Sequence, residues 1–217
     1  AFPTVLRSSR ARFDIQFGRM HRPTTKNTSW EYAKFESVGH KWADLSESGY
    51  GVALMNDSKY GYDVHDGTLR LTLLKSSNFP DYTADAGLQE FTYSLYLHEG
   101  EWYEANVDRE SWELNDAPIV FYGNVQLPTL FPAELPGVTF DTVKPSEDGD
   151  ALILRLHEKE GRHTSISIPT AFPFQSWNRC NLLERQDSET HTEKTVNLTL
   201  RPFELVTIKF LLKSDRR

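Results

Sequence analysis

The sequence predicts an all-β protein, a large antiparallel β-sandwich, on three observations. Apolar and polar residues alternate at period two along most of the chain, Gly-containing turn pairs separate the alternating runs, and no long stretch carries helical periodicity. The 217 residues suffice for one substantial domain, read as spanning 1–217. Ala11, Phe13, Ile15 and Phe17 alternate with Arg12, Asp14 and Gln16, which gives the first strand one buried and one wet face. The segment Glu31–His40 is the best short helical piece, although Trp30, Tyr32, Phe35 and Val38 also fit an irregular strand. Asp66-Gly67 splits Tyr62–His65 from Thr68–Leu74 and reads as a hairpin turn. Leu69, Leu71 and Leu73 alternate on the second arm, and Phe91, Tyr93, Leu95 and Leu97 on the next strand.

Residues 100–140 break the pattern. Pro118, Pro128, Pro132 and Pro136 punctuate them among Trp102, Tyr103, Trp112, Phe121 and Tyr122, so they read as a long irregular insertion packed on the sandwich. Asp148-Gly149-Asp150 then introduces a strand at Leu152–Leu156. Glu160-Gly161 leads from it into Ile166–Ile168, so the two read as an antiparallel ribbon. Val196–Leu200 is a further strand. Leu205–Leu211 is apolar at almost every position and belongs in the middle of a sheet.

Composition excludes several classes. Lys plus Arg is 24 against 31 Asp plus Glu, a net charge of −7, which disfavours a broad nucleic-acid footprint or an anionic membrane as partner. The longest apolar runs are far short of a membrane span, and no charged-then-apolar signal segment opens the chain. The single cysteine, Cys180, cannot form an intrachain disulfide and favours a reducing compartment. Three Asn-X-Ser/Thr triplets begin at Asn27, Asn56 and Asn197 and carry meaning only outside the cytosol.

None of the seven histidines stands in a zinc-binding spacing. Glycosidase chemistry needs two carboxylates across a cleft, but Asp44, Glu47, Asp57, Asp63, Asp81, Asp85 and Glu90 all fall near turns and sequence does not pair them. Arg179 beside Cys180 could lower the thiol pKa, yet no histidine is identifiable as its base. Gly49-Tyr50-Gly51 lacks the spacing and following helix of a phosphate cradle. The stretch Asn56-Asp57-Ser58-Lys59-Tyr60-Gly61 is richer. Asn and Asp close turns through their own side chains, and Gly61 could supply a positive φ, so a hairpin connection explains it. The same groups could bond sugar hydroxyls while Tyr60 or Tyr62 offers a flat apolar face, or they could meet a neighbouring domain. Trp30 and Trp42 read as core or interface aromatics, and Arg22-Pro23 and Lys26 could lie across a domain seam.

The ordered segments "RFDIQFGRMHRPTTKNTSWEYAKFE", "HKWADLSESGYGVALMNDSKYGY", "LRLTLLKSSNFPDYTADAGLQEFTYSLYLHEG" and "CNLLERQD" together resemble the C-terminal region of cytosolic-type α-mannosidases of glycoside hydrolase family 38. The resemblance is strong over 11–99, weak over 100–140, and returns from "FDTVKPSEDGDALILRLHEKEG" to "RPFELVTIKFLL". One departure is Thr25, where the family pattern places a His before the Asn-Thr-Ser-Trp segment. The resemblance implies a sandwich of the galactose-mutarotase-like super-sandwich type. It also implies a retaining exo-α-mannosidase whose Asp nucleophile, acid carboxyl and zinc or cobalt cradle belong to an upstream catalytic domain. No catalytic or metal residue is therefore assigned within this chain, which alone is expected to be inactive. Implied partners are that upstream domain, a mannose-containing oligosaccharide and further copies in a homo-oligomer, in the cytoplasm or the vacuole. Two loops are implied at a substrate rim, with Asn56, Asp57, Lys59 and Tyr60 on one and Asp81 and Asp85 on the other. An independent carbohydrate-binding module is the alternative, supported by the predicted sandwich and five tryptophans.

Overall fold

The structure is a computed structural model and describes residues 1–34, 36–124 and 128–213. Phe35, named above with the helical piece, lies outside the described residues. The chain divides into two compact units, Ala1–Phe121 and Tyr122–Arg217, and every strand pairing in both is antiparallel. The expected sandwich architecture is present in each unit. The segment 100–140 is shared between them: its first part packs on the first unit, and the unit boundary falls inside it.

The first unit contains β1 (Phe2–Pro3), β2 (Arg10–Ile15), β3 (Gly18–Pro23), α1 (Ser29–Tyr32), β4 (Ser37–Val38), β5 (Trp42–Glu47), β6 (Tyr50–Asn56), β7 (Gly61–His65), β8 (Thr68–Thr72), β9 (Tyr93–Glu99) and α2 (Val107–Asn115). One sheet has the order β1-β8-β7-β4 and the other β3-β2-β5-β6-β9. Alternation decides what lies between them. Ala11, Phe13, Ala43, Leu45, Val52 and Leu54 from the five-stranded sheet meet Tyr62, Val64 and Leu69 from the four-stranded one. Each buried large side chain is worth about 1.5–3 kcal/mol of transfer free energy. Asp66 and Gly67 both adopt positive φ, 48° and 69°, the geometry that a two-residue hairpin requires. Phe17 leaves the strand pattern because it sits in the β2–β3 turn at φ 48°.

Tyr93, Leu95 and Leu97 also depart from expectation. Their partners Leu54 and Val52 are core residues, so β9 does present the apolar set inward, yet all three stay exposed. Strand β9 is the edge of the wider sheet, and its inner face extends past the cover that the narrower sheet provides.

The outer face of the five-stranded sheet carries a second core. Trp42, Ala53 and Met55 are covered by Trp102 and Val107, with Leu114 of α2 packed against them. Sequence periodicity did not reveal α2, since only Val107, Asp108 and Ser111 on it are buried and two of those are polar.

The second unit contains β10 (Val138–Pro145), β11 (Ala151–Glu158), β12 (Thr164–Pro169), β13 (Phe174–Cys180), β14 (Thr195–Leu200) and β15 (Leu205–Leu212). A sheet of order β10-β11-β15-β13 faces the pair β12-β14. Strand β15 is central, as its continuous apolarity predicts. The expected ribbon between the Leu152 and Ile166 strands is corrected: β11 and β12 lie in different sheets. Strand β11 is buried on both faces and pairs with β10 and β15, whereas β12 alternates strictly and pairs with β14 across the core.

Candidate functional site

The β6–β7 turn is built from Asn56 inward. Asn56 is only 1% exposed. Its Oδ1 accepts the backbone N–H of Ser58 at 2.9 Å and that of Lys59, which closes the turn. Its Nδ2 donates to the carbonyl of His40 at 3.2 Å and to the Tyr62 hydroxyl, and its own carbonyl accepts from Asn115 Nδ2 at 3.1 Å. Burial pushes the Tyr62 hydroxyl pKa well above 10, so this hydroxyl stays protonated and donates to the His40 carbonyl at 3.1 Å. The Asn56 side chain is thus committed to the inside of the fold. Gly61 is not a positive-φ residue; it lies in β7, where a Cβ would come within 2.8 Å of Glu36 Oε1.

The next residues face outward. Asp57 is exposed, and its Oδ1 accepts the Thr92 N–H at 3.0 Å and the Ser58 hydroxyl at 2.8 Å. The Thr92 bond above all holds the Asp57 pKa below its usual 3.8. Because Asp57 N–H also donates to the Thr92 carbonyl at 3.2 Å, the turn clamps the end of the long β8–β9 connection. The Lys59 ammonium stands 5.2 Å over the Phe91 ring, and Tyr60, 59% exposed, meets His40 edge-on at 5.5 Å. The turn residues 56–60, with His40, Lys41 and Asn115, line a cleft of about 110 Å³. It offers the Asp57 carboxylate, the Lys59 ammonium, an amide and a phenol face, a mixture suited to hydroxyl-rich ligands. His40, Lys41 and Asn115 were not among the rim residues expected from the sequence. Asn115 arrives through α2, fifty-nine positions away, with no local signal to mark it.

Asp81 and Asp85 sit in the exposed β8–β9 connection. Asp81 accepts the N–H and hydroxyl of Thr83 at 2.8 and 2.7 Å, and Asp85 accepts the N–H groups of Lys75 and Ser76 at 3.2 and 2.6 Å. Each carboxylate organises its own turn, and neither lines the cleft at Asn56.

The Asn27–Trp30 stretch opens α1. Thr28 caps it by accepting the Glu31 N–H at 3.1 Å, while Glu31 accepts the Asn27 N–H at 2.7 Å and the Thr25 hydroxyl at 3.1 Å. Trp42 is core, whereas Trp30 is exposed on this one-turn helix. Gly51 makes room for a buried pair: a Cβ there would come within 2.3 Å of Ser46 Oγ and 2.4 Å of His98 Cε1. His98 Nε2 lies 2.8 Å from Asp44 Oδ2, and Ser46 donates to Asp44 Oδ1 at 2.5 Å. Burial alone would lower the His98 pKa, but the bond and charge of Asp44 outweigh it and the pKa rises above 6.5.

The thiol reading is also corrected. Cys180 is buried, and burial, reinforced by Asp187 and Glu184, raises its pKa despite neighbouring Arg155. Among the described residues, no three His, Cys, Asp or Glu side chains converge as a metal would require.

Comparison with known proteins places this architecture. Residues 1–83 match the glycosyl hydrolases family 38 C-terminal domain, and residues 137–208 match the family 38 C-terminal beta sandwich domain. The chain is 39% identical to alpha-mannosidase 2C1 of Homo sapiens over 98% of its length, and 38% identical to alpha-mannosidase G of Dictyostelium discoideum over 95%. It covers 21% and 20% of those relatives, so it spans about a fifth of their length. The fold matches the crystal structure of an alpha-mannosidase from Enterococcus faecalis with a TM-score of 0.72 at 18% identity, over 98% of this chain and 25% of that one. Two separate family matches, each on its own sandwich unit, together with the near-full-length similarity to the α-mannosidases, establish that the chain belongs to the C-terminal region of glycosyl hydrolase family 38.

Proposed function

We propose that this chain is the non-catalytic C-terminal part of a retaining exo-α-mannosidase, acting on terminal α-D-mannose of oligosaccharides. The observation that carries this reading is the near-full-length similarity to relatives named as α-mannosidases that are about five times longer. In this reading the catalytic carboxylates and the zinc or cobalt ion belong to an upstream domain, and the chain supports that domain in a homo-oligomer. A cytoplasmic or vacuolar location accompanies it.

The turn Asp57–Tyr60 is the proposed contribution to the substrate rim, with Asn56 as the buried residue that positions it. Asp81 and Asp85 shape the adjoining connection. In the complete enzyme, Lys59→Ala and Tyr60→Ala are expected to raise KM for an oligomannoside about threefold to tenfold, the worth of one hydrogen bond or stacking contact, with kcat nearly unchanged. Unchanged KM in both variants would remove the rim role. Titration of this chain alone with mannose tests the alternative: saturable binding centred on exposed Trp30 or Tyr60 would favour an independent carbohydrate-binding module.

A further inference from the structure

The outer face of the five-stranded sheet is covered by Trp102 and α2 over only part of its area. One cross-strand row lies beside that cover: Arg12 is directly opposite His21 on β3 and opposite Asp44 on β5. These residues, with Arg10, Ser46 and Trp102, line a cleft of about 200 Å³. Arg12 lays its guanidinium 5.5 Å over the Trp102 ring. Its Nε is buried without a hydrogen-bond partner, and among the described residues no acceptor lies within hydrogen-bond reach of its guanidinium nitrogens. That is costly for a half-buried cation, and burial lowers its pKa from the ordinary arginine value.

The neighbouring acids do not answer it. Both Asp44 oxygens are already engaged, Oδ1 by the Ser46 hydroxyl and Oδ2 by His98. When His98 is protonated it also offsets the Asp44 charge. Glu101, at the rim, influences Arg12 electrostatically but does not close to an ion pair. Arg10 and His21 add donors on the same side of the cleft.

We propose that this cleft is a binding site for a small oxyanion, a carboxylate or a phosphate group, received by the Arg12 fork against Trp102. A guanidinium stacked on an aromatic face keeps its N–H edge free for bidentate contact with planar or tetrahedral oxygens. Nothing in this inference depends on the mannosidase reading.

The test is a two-dimensional NMR titration of the whole chain with inorganic phosphate and, separately, with acetate, at constant ionic strength. The expected result is saturable shifts at the amides of Arg10, Arg12 and Ser46 and at the Trp102 indole. Arg12→Gln, which keeps side-chain length over Trp102, is expected to weaken binding at least about tenfold, as loss of a charge-assisted pair implies. Arg162→Ala, in the other unit, is expected to leave it unchanged. Saturation by phosphate assigns a phosphate site and saturation by acetate a carboxylate site. Linear, non-saturating shifts with both anions, or equal binding by Arg12→Gln, would overturn the proposal.

Discussion

Four charged residues hold the outer face of the five-stranded sheet to the segment that covers it. Arg19 on β3 reaches Asp14 at 2.8 Å and also bonds Asp108 on α2, while Lys41 reaches Asp14 at 2.9 Å. The Arg19 guanidinium lies against both Trp42 and Trp102, 5.4 and 5.7 Å from their rings. Two positive and two negative groups balance, so the buried charges of Arg19, Asp14 and Asp108 are compensated, with the partly exposed Lys41 completing the set. Removing one partner breaks that balance. Arg19→Met keeps the volume but strands Asp14 against Lys41 alone, and is expected to cost about 3–5 kcal/mol in urea unfolding. A loss below about 1 kcal/mol would show that the network adds nothing over apolar packing. The His98–Asp44 pair gives a second prediction. Since the folded pKa of His98 lies above 6.5, its contribution is full below about pH 6.5 and is lost as pH rises through the folded value. The stability difference between the natural chain and His98→Gln should therefore shrink from pH ~6 to pH ~9. A difference that stays constant with pH would exclude titration of this ring.

At the scale of the element, what sequence discloses depends on whether burial follows strand period. Strands β2, β7, β8, β11, β12 and β15 were legible because one or both of their faces meet the core, and the pattern of two or of continuous apolarity records that. Pairing was less legible. The ribbon expected between β11 and β12 fails because a turn at Gly161 also serves a crossover between layers. Helix α2 was hidden because two of its three buried residues are polar: Asp108 is held by Arg19 and Ser111 donates to the Asp108 carbonyl, with Val107 alone buried among apolar groups. The turn at Asn56 was readable as a turn, yet its dependence on Tyr62 and Asn115 was not, since both bonds are tertiary. Trp102 anchors this whole cover and packs on Trp42 at 5.4 Å. Trp102→Ala is expected to cost about 3–5 kcal/mol. It should also release α2, seen as faster amide exchange across Val107–Asn115; protection equal to that of the natural chain would show that α2 is held without Trp102.

For the whole molecule, the question is whether each sandwich unit is a folding unit. Among the described residues, each hydrophobic cluster is drawn from one unit alone: two from residues before Phe121 and one from residues after Tyr122. The second unit carries its own aromatic centre, with Phe131, Phe172 and Phe174 all ringed about Phe210 at 5.3–5.7 Å. Each unit also closes its own antiparallel sheets, so the strand hydrogen bonds need no partner from elsewhere. A layer pair of this size with a dedicated core meets the ordinary conditions for autonomous folding. Residues 1–121 and residues 122–217, expressed separately, are therefore each expected to show a single cooperative urea transition with dispersed side-chain NMR signals. The sharper arm is the second fragment, whose facing layer is only the pair β12-β14 and whose stability rests on Phe210. Phe210→Ala in that fragment should cost about 3–5 kcal/mol and collapse the transition. A second fragment that gains cooperativity only when the first is added would mean that the two are one folding unit despite their separate cores.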